Sequence, residues 1–248
     1  MNEHNTEYDP FAAIYNRYWG AEYHSQVFPV LDRLFFSRLP KGASILDVCC
    51  GTGKLTALVK SRGFSVSGID ASAAMLAYAR QNAPGVEFTL ADVRSFSIPG
   101  KFDGAYSIFE SLNHLPDGES LHSAFLRVRE HLTPGAPFLF DLNREDAFLA
   151  QWNQTDALVD SETVWVTRSH YDQAKRLGVC EVTVFNSSVE QGWNRSDFTL
   201  RQTCHDINAA HDALSRAGFG SIALYDAADM GMDEYTGYAR TFFLATAA

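Results

Sequence analysis

The stretch Ile45-Leu46-Asp47-Val48-Cys49-Cys50-Gly51-Thr52-Gly53-Lys54-Leu55 constrains this chain more than any other. Apolar residues carry a buried strand to an acid, a tight glycine turn follows, and the amphipathic run Leu55, Leu58, Val59 begins a helix that stops at Gly63. Glycines at 51 and 53 let the backbone approach a ligand closely. The pattern is that of a nucleotide-binding turn.

Spacing narrows the nucleotide. A dinucleotide fingerprint needs a third glycine where Thr56 stands, and a phosphate-cradling loop needs a glycine where Val48 stands and a hydroxyl where Leu55 stands. Both phosphate readings weaken, and with them a nicotinamide oxidoreductase. The run instead resembles the first motif of the class I S-adenosylmethionine-dependent methyltransferases, in which an acid precedes a glycine-rich turn and no phosphate is bound. Cys49 stands where that family commonly has its first glycine, and Lys54 where it often has another.

Four more landmarks follow in the order this resemblance implies. Residues 64–70 form a second strand ending at Asp70, a carboxylate placed to accept from both ribose hydroxyls, and Ser72 caps the helix holding Met75, Leu76 and Ala79. Val86, Phe88 and Leu90 alternate along a third strand that runs to Asp92 and Val93, where the family reads the adenine edge. Residues 102–108 form a fourth strand leading into Phe109-Glu110-Ser111-Leu112-Asn113-His114. An amphipathic helix with Leu121, Ala124, Phe125, Val128 and Leu132 on one face ends at Thr133-Pro134-Gly135, and residues 138–141 form a fifth strand.

Outside this core, a helical arm spans residues 11–39. After Asp141 the pattern changes to three antiparallel strands, at 163–171, 177–186 and 195–205, with polar turns at 172–175 and around Gln191 and Gly192. A helix capped by Asn208 and closed by Gly218 and two strands, at 221–225 and 238–246, then return to the core. The reading is an α/β, doubly wound, Rossmann-like, mostly parallel seven-stranded sheet with an antiparallel β insertion after the fifth strand. Its units are an arm and cofactor core at 1–142, an acceptor lid at 143–206 and a return segment at 207–248. This arrangement resembles the branch that includes glycine N-methyltransferase and the amino-sugar N-methyltransferases; two smaller echoes are the arm run Phe11-Ala12-Ala13-Ile14-Tyr15-Asn16 and the turn Ala217-Gly218-Phe219.

Composition agrees with a small-molecule enzyme. The net charge of −10, from 20 basic and 30 acidic residues, argues against a nucleic-acid substrate. No apolar run approaches the roughly 18 residues of a membrane span, and a basic-then-apolar leader is not seen, so a cytoplasmic protein, monomer or homodimer, is expected. The four cysteines make no metal or disulfide pattern, and no metal is expected.

Methyl transfer is an in-line displacement that needs alignment and exclusion of water rather than a covalent nucleophile. The resemblance implies S-adenosylmethionine held by Tyr15, Asp47, Cys50, Gly51, Gly53, Asp70, Ala71, Met75, Asp92, Val93 and Phe109. Trp19 reads as ordinary packing. The acceptor is read as a small molecule with an N or O nucleophile; Glu110 and His114 are catalytic candidates, because an acceptor that is an amine must lose a proton to expose its lone pair. Asn113, Arg168, Arg201 and His205 are acceptor-binding candidates, with Arg201 and His205 on one strand face. The second function class is a regulatory or carrier protein that binds the cofactor without transfer. A cavity large enough for an acceptor separates the two.

Overall fold

A computed structural model describes residues 6–188 and 192–248. The arm begins with a 3₁₀ turn at Asp9–Phe11 and continues as α1 (Ala12–Tyr18) and α2 (Ala21–Leu34). It is not one helix, because Gly20 adopts φ of 91°, a left-handed conformation that ends α1 and redirects the chain. Helix α2 buries Val27, Val30, Leu31 and Leu34, a spacing that presents one face to the sheet.

Strands and helices then alternate: β1 (Ser44–Val48), α3 (Lys54–Ser61), β2 (Ser65–Asp70), α4 (Ala73–Asn82), β3 (Glu87–Leu90), β4 (Gly104–Ser107), α5 (Gly118–His131) and β5 (Pro137–Asn143). Beyond them lie α6 (Glu145–Gln151), β6 (Gln154–Val159), β7 (Thr163–Asp172), β8 (Leu177–Ser188), β9 (Gly192–Thr203), α7 (Ile207–Arg216), β10 (Phe219–Asp226), α8 (Glu234–Gly237) and β11 (Arg240–Ala247).

The main sheet has seven strands in the order β10-β11-β5-β4-β1-β2-β3. Pairs among β1 to β5 are parallel, and β11 runs antiparallel to both β5 and β10. This is the expected mostly parallel, doubly wound sheet. The strand order reverses between β1 and β4, which opens a crevice at their carboxyl ends. Alternation along β5 feeds two cores: Phe138, Phe140 and Leu142 pack with α5 and α7, while Leu139 packs with α2 on the other face. Phe140 and Phe243 stack across β5 and β11 with centroids 4.7 Å apart.

Local chemistry sets several boundaries differently from expectation. Strand β4 is shorter than predicted, since Phe109 takes φ of 71° just beyond its end and Phe102 makes only a single bridge to Leu132. Asp206, not Asn208, caps α7: its Oδ1 accepts from the Ala209 N–H at 2.9 Å. The antiparallel sheet has four strands, β6-β7-β8-β9, rather than three. Strand β6 is exposed along nearly its whole length, so it carries no apolar alternation and exists through its pairing with β7. The predicted turn at Gln191 lies outside the described residues.

Candidate functional site

A cavity of about 950 Å³ opens at the reversal point. The carboxyl ends of β1, β2 and β4 form its floor, the arm covers one side, and the inner face of β7 to β9 closes another.

The floor is the glycine turn. Cys49, Gly51 and Gly53 all have positive φ, at 60°, 54° and 71°. The Gly51 N–H donates to Asp70 Oδ2 and the Ser72 N–H to Oδ1, each at 2.8 Å, tying the turn to the end of β2. An ionised carboxylate has about four acceptor positions, so Asp70 keeps lone pairs for a ligand. Burial pushes its pKa up and the two backbone donors oppose that shift. The two glycines do different work. A Cβ built on Gly51 would meet only Tyr15 Cε1, at 3.8 Å, in the open cavity wall, whereas one on Gly53 would lie 2.9 Å from Ala79 Cα in α4. Gly51 therefore faces the ligand space and Gly53 lets α3 and α4 approach.

Ala71, Met75, Asp92, Val93 and Phe109 line the cavity with Gly51 and Asp70. Asp92 is gripped by Arg94, whose Nε donates to both its oxygens at 2.9 and 3.1 Å, and this hydrogen bonding holds its pKa low. Cys50 and Asp47 are not among the lining residues. Cys50 Sγ packs against Gly68, and Cys49 faces the cavity instead. Asp47 Oδ2 accepts from Thr56 Oγ1 at 2.5 Å and Tyr106 Oη at 2.7 Å, which braces the turn from beneath. Burial raises its pKa to about 7.

The arm contributes more than its sequence showed. Tyr15 lies over Gly51, its ring 5.9 Å from Phe11 and 6.2 Å from Phe109, and burial raises its hydroxyl pKa. Trp19 packs between Phe11 and Trp165, joining arm to insertion. Asp9 Oδ1 accepts from Ser72 Oγ at 2.6 Å and from the Ala74 N–H at 3.1 Å, so the arm docks on the start of α4. Ser72 itself caps α4 as expected, accepting from Met75 N–H at 3.0 Å. Tyr8, Phe11 and Tyr15 all line the cavity, and their spacing of three and four was a helical-face signal available in the sequence.

Glu110 and His114 both reach the cavity wall. Glu110 takes φ of 43°, a strained conformation for a side-chain-bearing residue, and its N–H points at Asp141, 3.2 Å from Oδ2. Its carboxylate contacts the buried Arg240 guanidinium off the hydrogen-bonding angle, and Arg240 also pairs with Asp141. Arg240 lies 4.8 Å over the Tyr23 ring, Tyr23 stacks on Phe109 at 4.3 Å, and Tyr23 Oη donates to Asp141 at 3.1 Å. Burial raises the Glu110 pKa; Arg240 opposes the rise and Asp141 adds to it. Sequence reading missed Arg240, since only folding brings β11 to β5.

The acceptor-binding candidates divide. Arg201 lies on the cavity rim, but its side chain pairs with Glu7. Arg168 turns away: Thr167 and Ser169 of β7 line the cavity, and Arg168 pairs with Glu181 at 3.4 Å on the outer, exposed face. His205 lies beyond the end of β9, so strand alternation does not carry it onto one face with Arg201; it borders a separate hollow beside Asp117 and Arg176. Asn113 is fully buried, donating to Thr203 O at 2.9 Å and accepting from the Asn143 N–H at 3.0 Å, so it fastens loops together. Gln202, on the inner face, reaches the cavity instead.

These features define a class I S-adenosylmethionine-dependent methyltransferase. A model of the methyltransferase domain matches residues 45–135, and the chain is an S-adenosylmethionine-dependent methyltransferase. More particularly, it is 29% identical over 225 residues to the dTDP-3-amino-3,6-dideoxy-alpha-D-glucopyranose N,N-dimethyltransferase of Streptomyces fradiae, covering 88% of this chain and 85% of that one. It is 25% identical over 219 residues to the putative methyltransferase YqeM of Bacillus subtilis, covering 86% of each. The structure of SAM-bound CalS10, an amino pentose methyltransferase from Micromonospora echinaspora, shares the fold with a TM-score of 0.73 at 24% identity, over 100% of this chain and 99% of that one.

The cofactor is S-adenosylmethionine, which supplies an activated methyl group on a sulfonium. The residues present fit it: an open wall at Gly51 and a carboxylate with free lone pairs at Asp70. Among the described residues no helix is long and apolar enough to cross a membrane.

Proposed function

We propose that the enzyme methylates the amino group of a small, hydroxyl-rich acceptor of the amino-sugar type. The observation that carries this reading is the cavity itself. At about 950 Å³ it sits at the upper end of small-molecule sites and runs from Gly51 and Asp70 to the hydroxyls of Thr167 and Ser169 and the amide of Gln202. Two titratable groups of its wall, Glu110 and His114, suit an amine: a carboxylate attracts its ammonium form, and a neutral imidazole accepts its proton.

In this reading Gly51 admits the methionine part of the cofactor, Asp70 holds the ribose hydroxyls, and Asp92 with the Val93 amide meets the adenine edge. Asp47, Cys50 and Gly53 act from behind the wall. Residues 143–206 serve as the acceptor lid on a core built by 1–142 and 207–248. The acidic balance of the chain supports an enzyme that does not take nucleic acid.

The test supplies purified protein with S-adenosylmethionine and dTDP-3-amino-3,6-dideoxy-alpha-D-glucopyranose, alongside other amino sugars and their hydroxyl counterparts. S-Adenosylhomocysteine release and the product mass are recorded. Methyl groups on nitrogen support the proposal; turnover of hydroxyl counterparts alone overturns it.

A further inference from the structure

The Gln202 carboxamide fits its surroundings only one way round. His114 Nδ1 lies 2.6 Å from the Arg201 carbonyl oxygen, and a carbonyl can only accept, so Nδ1 carries the hydrogen and Nε2 is a lone pair. Gln202 Nε2 lies 3.1 Å from that lone pair, which Tyr8 Oη also approaches at 2.6 Å, so the Gln202 NH₂ group donates to it and Oε1 is left at the other end of the amide. Oε1 is buried, and no group of the described residues donates to it. A buried acceptor without a donor is costly, yet Gln202 lines the cavity, where a bound molecule can supply one. The neighbouring strand is shaped around the same spot. Gly178 of β8 stands directly opposite Gln202 of β9, and its φ is not left-handed, so the backbone there does not require glycine. A Cβ on Gly178 would lie 2.6 Å from Trp152 Cε3 and 2.8 Å from Cζ3. The Trp152 ring therefore fills the place beside Gln202 that a side chain at 178 would take, and Trp152 lines the cavity too.

We propose that Gln202 is a specificity-determining residue, whose Oε1 accepts from a hydroxyl on the carbon next to the acceptor's amine. This deepens the amine-acceptor reading and rests on it. The oxygen and nitrogen of a carboxamide are about 2.2 Å apart, which keeps Oε1 within about 5 Å of His114 Nε2. An amine received by the wall of Glu110 and His114 thus brings its neighbouring hydroxyl, not a distant one, to Oε1. The Trp152 ring keeps water from substituting for that hydroxyl, and an acceptor left unpaired in so dry a place penalises a ligand that lacks it. Held by His114, Gln202 cannot turn its NH₂ group to the ligand. A keto or ether oxygen on the same carbon, which can only accept, is refused as well.

Two probes differ only in this hydroxyl: dTDP-3-amino-3,6-dideoxy-alpha-D-glucopyranose carries it beside the amine, and dTDP-3-amino-3,4,6-trideoxy-alpha-D-glucopyranose does not. Calorimetric titration of the S-adenosylhomocysteine complex with each requires no methyl transfer, so its result is separate from the amine reading, which fails if nitrogen is not methylated. The wild type should bind the first sugar at least about tenfold more tightly than the second. In Gln202→Met the two should bind within about twofold of each other with S-adenosylhomocysteine affinity unchanged, and Gly178→Ala, which displaces the Trp152 ring, should narrow the preference too. Equal binding in the wild type, binding of neither sugar, or a preference that survives in either variant overturns the proposal. Histidine ring ¹⁵N shifts of the same complex should show His114 as the Nδ1–H tautomer. An Nε2–H tautomer would draw the Gln202 carbonyl to itself and overturn the proposal without any acceptor present.

Discussion

The two glycines of the binding turn should respond to the same substitution in opposite ways. At Gly53 an alanine would have to hold φ near 71°, which costs a side-chain-bearing residue about 1–2 kcal/mol. Its Cβ would also stand 2.9 Å from Ala79 Cα and 3.2 Å from Phe88 Cζ. The first neighbour is backbone in the middle of α4 and cannot swing aside, so α3 and α4 must separate. Overpacking of this kind costs about 1–3 kcal/mol, and Gly53→Ala should lose about 2–5 kcal/mol in all. At Gly51, φ is 54° and the only neighbour is Tyr15 at 3.8 Å, so Gly51→Ala should lose only the conformational part, about 1–2 kcal/mol. Its methyl projects into ligand space, however, and should weaken S-adenosylhomocysteine at least about tenfold, or 1.4 kcal/mol. Urea unfolding and calorimetric titration of both variants measure the two quantities. Equal destabilisation of the pair, or unaltered ligand affinity in Gly51→Ala, would refute the division of labour.

Other outcomes follow from the site. Asp70→Asn should keep the fold and weaken S-adenosylhomocysteine by about 1–3 kcal/mol, because a charged acceptor is replaced by a neutral amide; titration with unchanged affinity counts against a ribose contact. Asp47 has a folded pKa of about 7, above its unfolded value of about 3.9. Its contribution to stability is therefore fully present below about pH 4 and lost as pH rises through 7. Asp47→Asn cannot titrate, so its stability relative to wild type should rise between pH 4 and pH 8 by up to about 4 kcal/mol in urea unfolding; a flat difference contradicts the assignment. Arg240→Met leaves Glu110 and Asp141 buried without their cation and should cost about 3–5 kcal/mol, with part recovered in the double variant that adds Asp141→Asn. No recovery would show that the cost lies in packing.

Much of this protein is written in short segments of its sequence. The glycine turn, Asp70 at the end of β2, the Ser72 cap and the order of the parallel strands depend on residues close together in the chain, where period, capping and turn chemistry act directly. The same locality carries the resemblance from which Gly51, Asp70, Ala71, Met75, Asp92 and Val93 were expected together, and all six line the cavity. Tertiary structure decided what distant segments do to one another. It turned Asp47, Cys50 and Gly53 away from the cavity, made Asn113 a fastener between loops, and set Arg168 outward while the neighbouring Thr167 and Ser169 face in. It also built the Arg240 cluster and the Tyr8–His114 contact from residues 99 and 106 positions apart. A side-chain period of two makes strand facing depend on a single residue of register, and buried charge finds its partner only when strands from both ends of the chain meet.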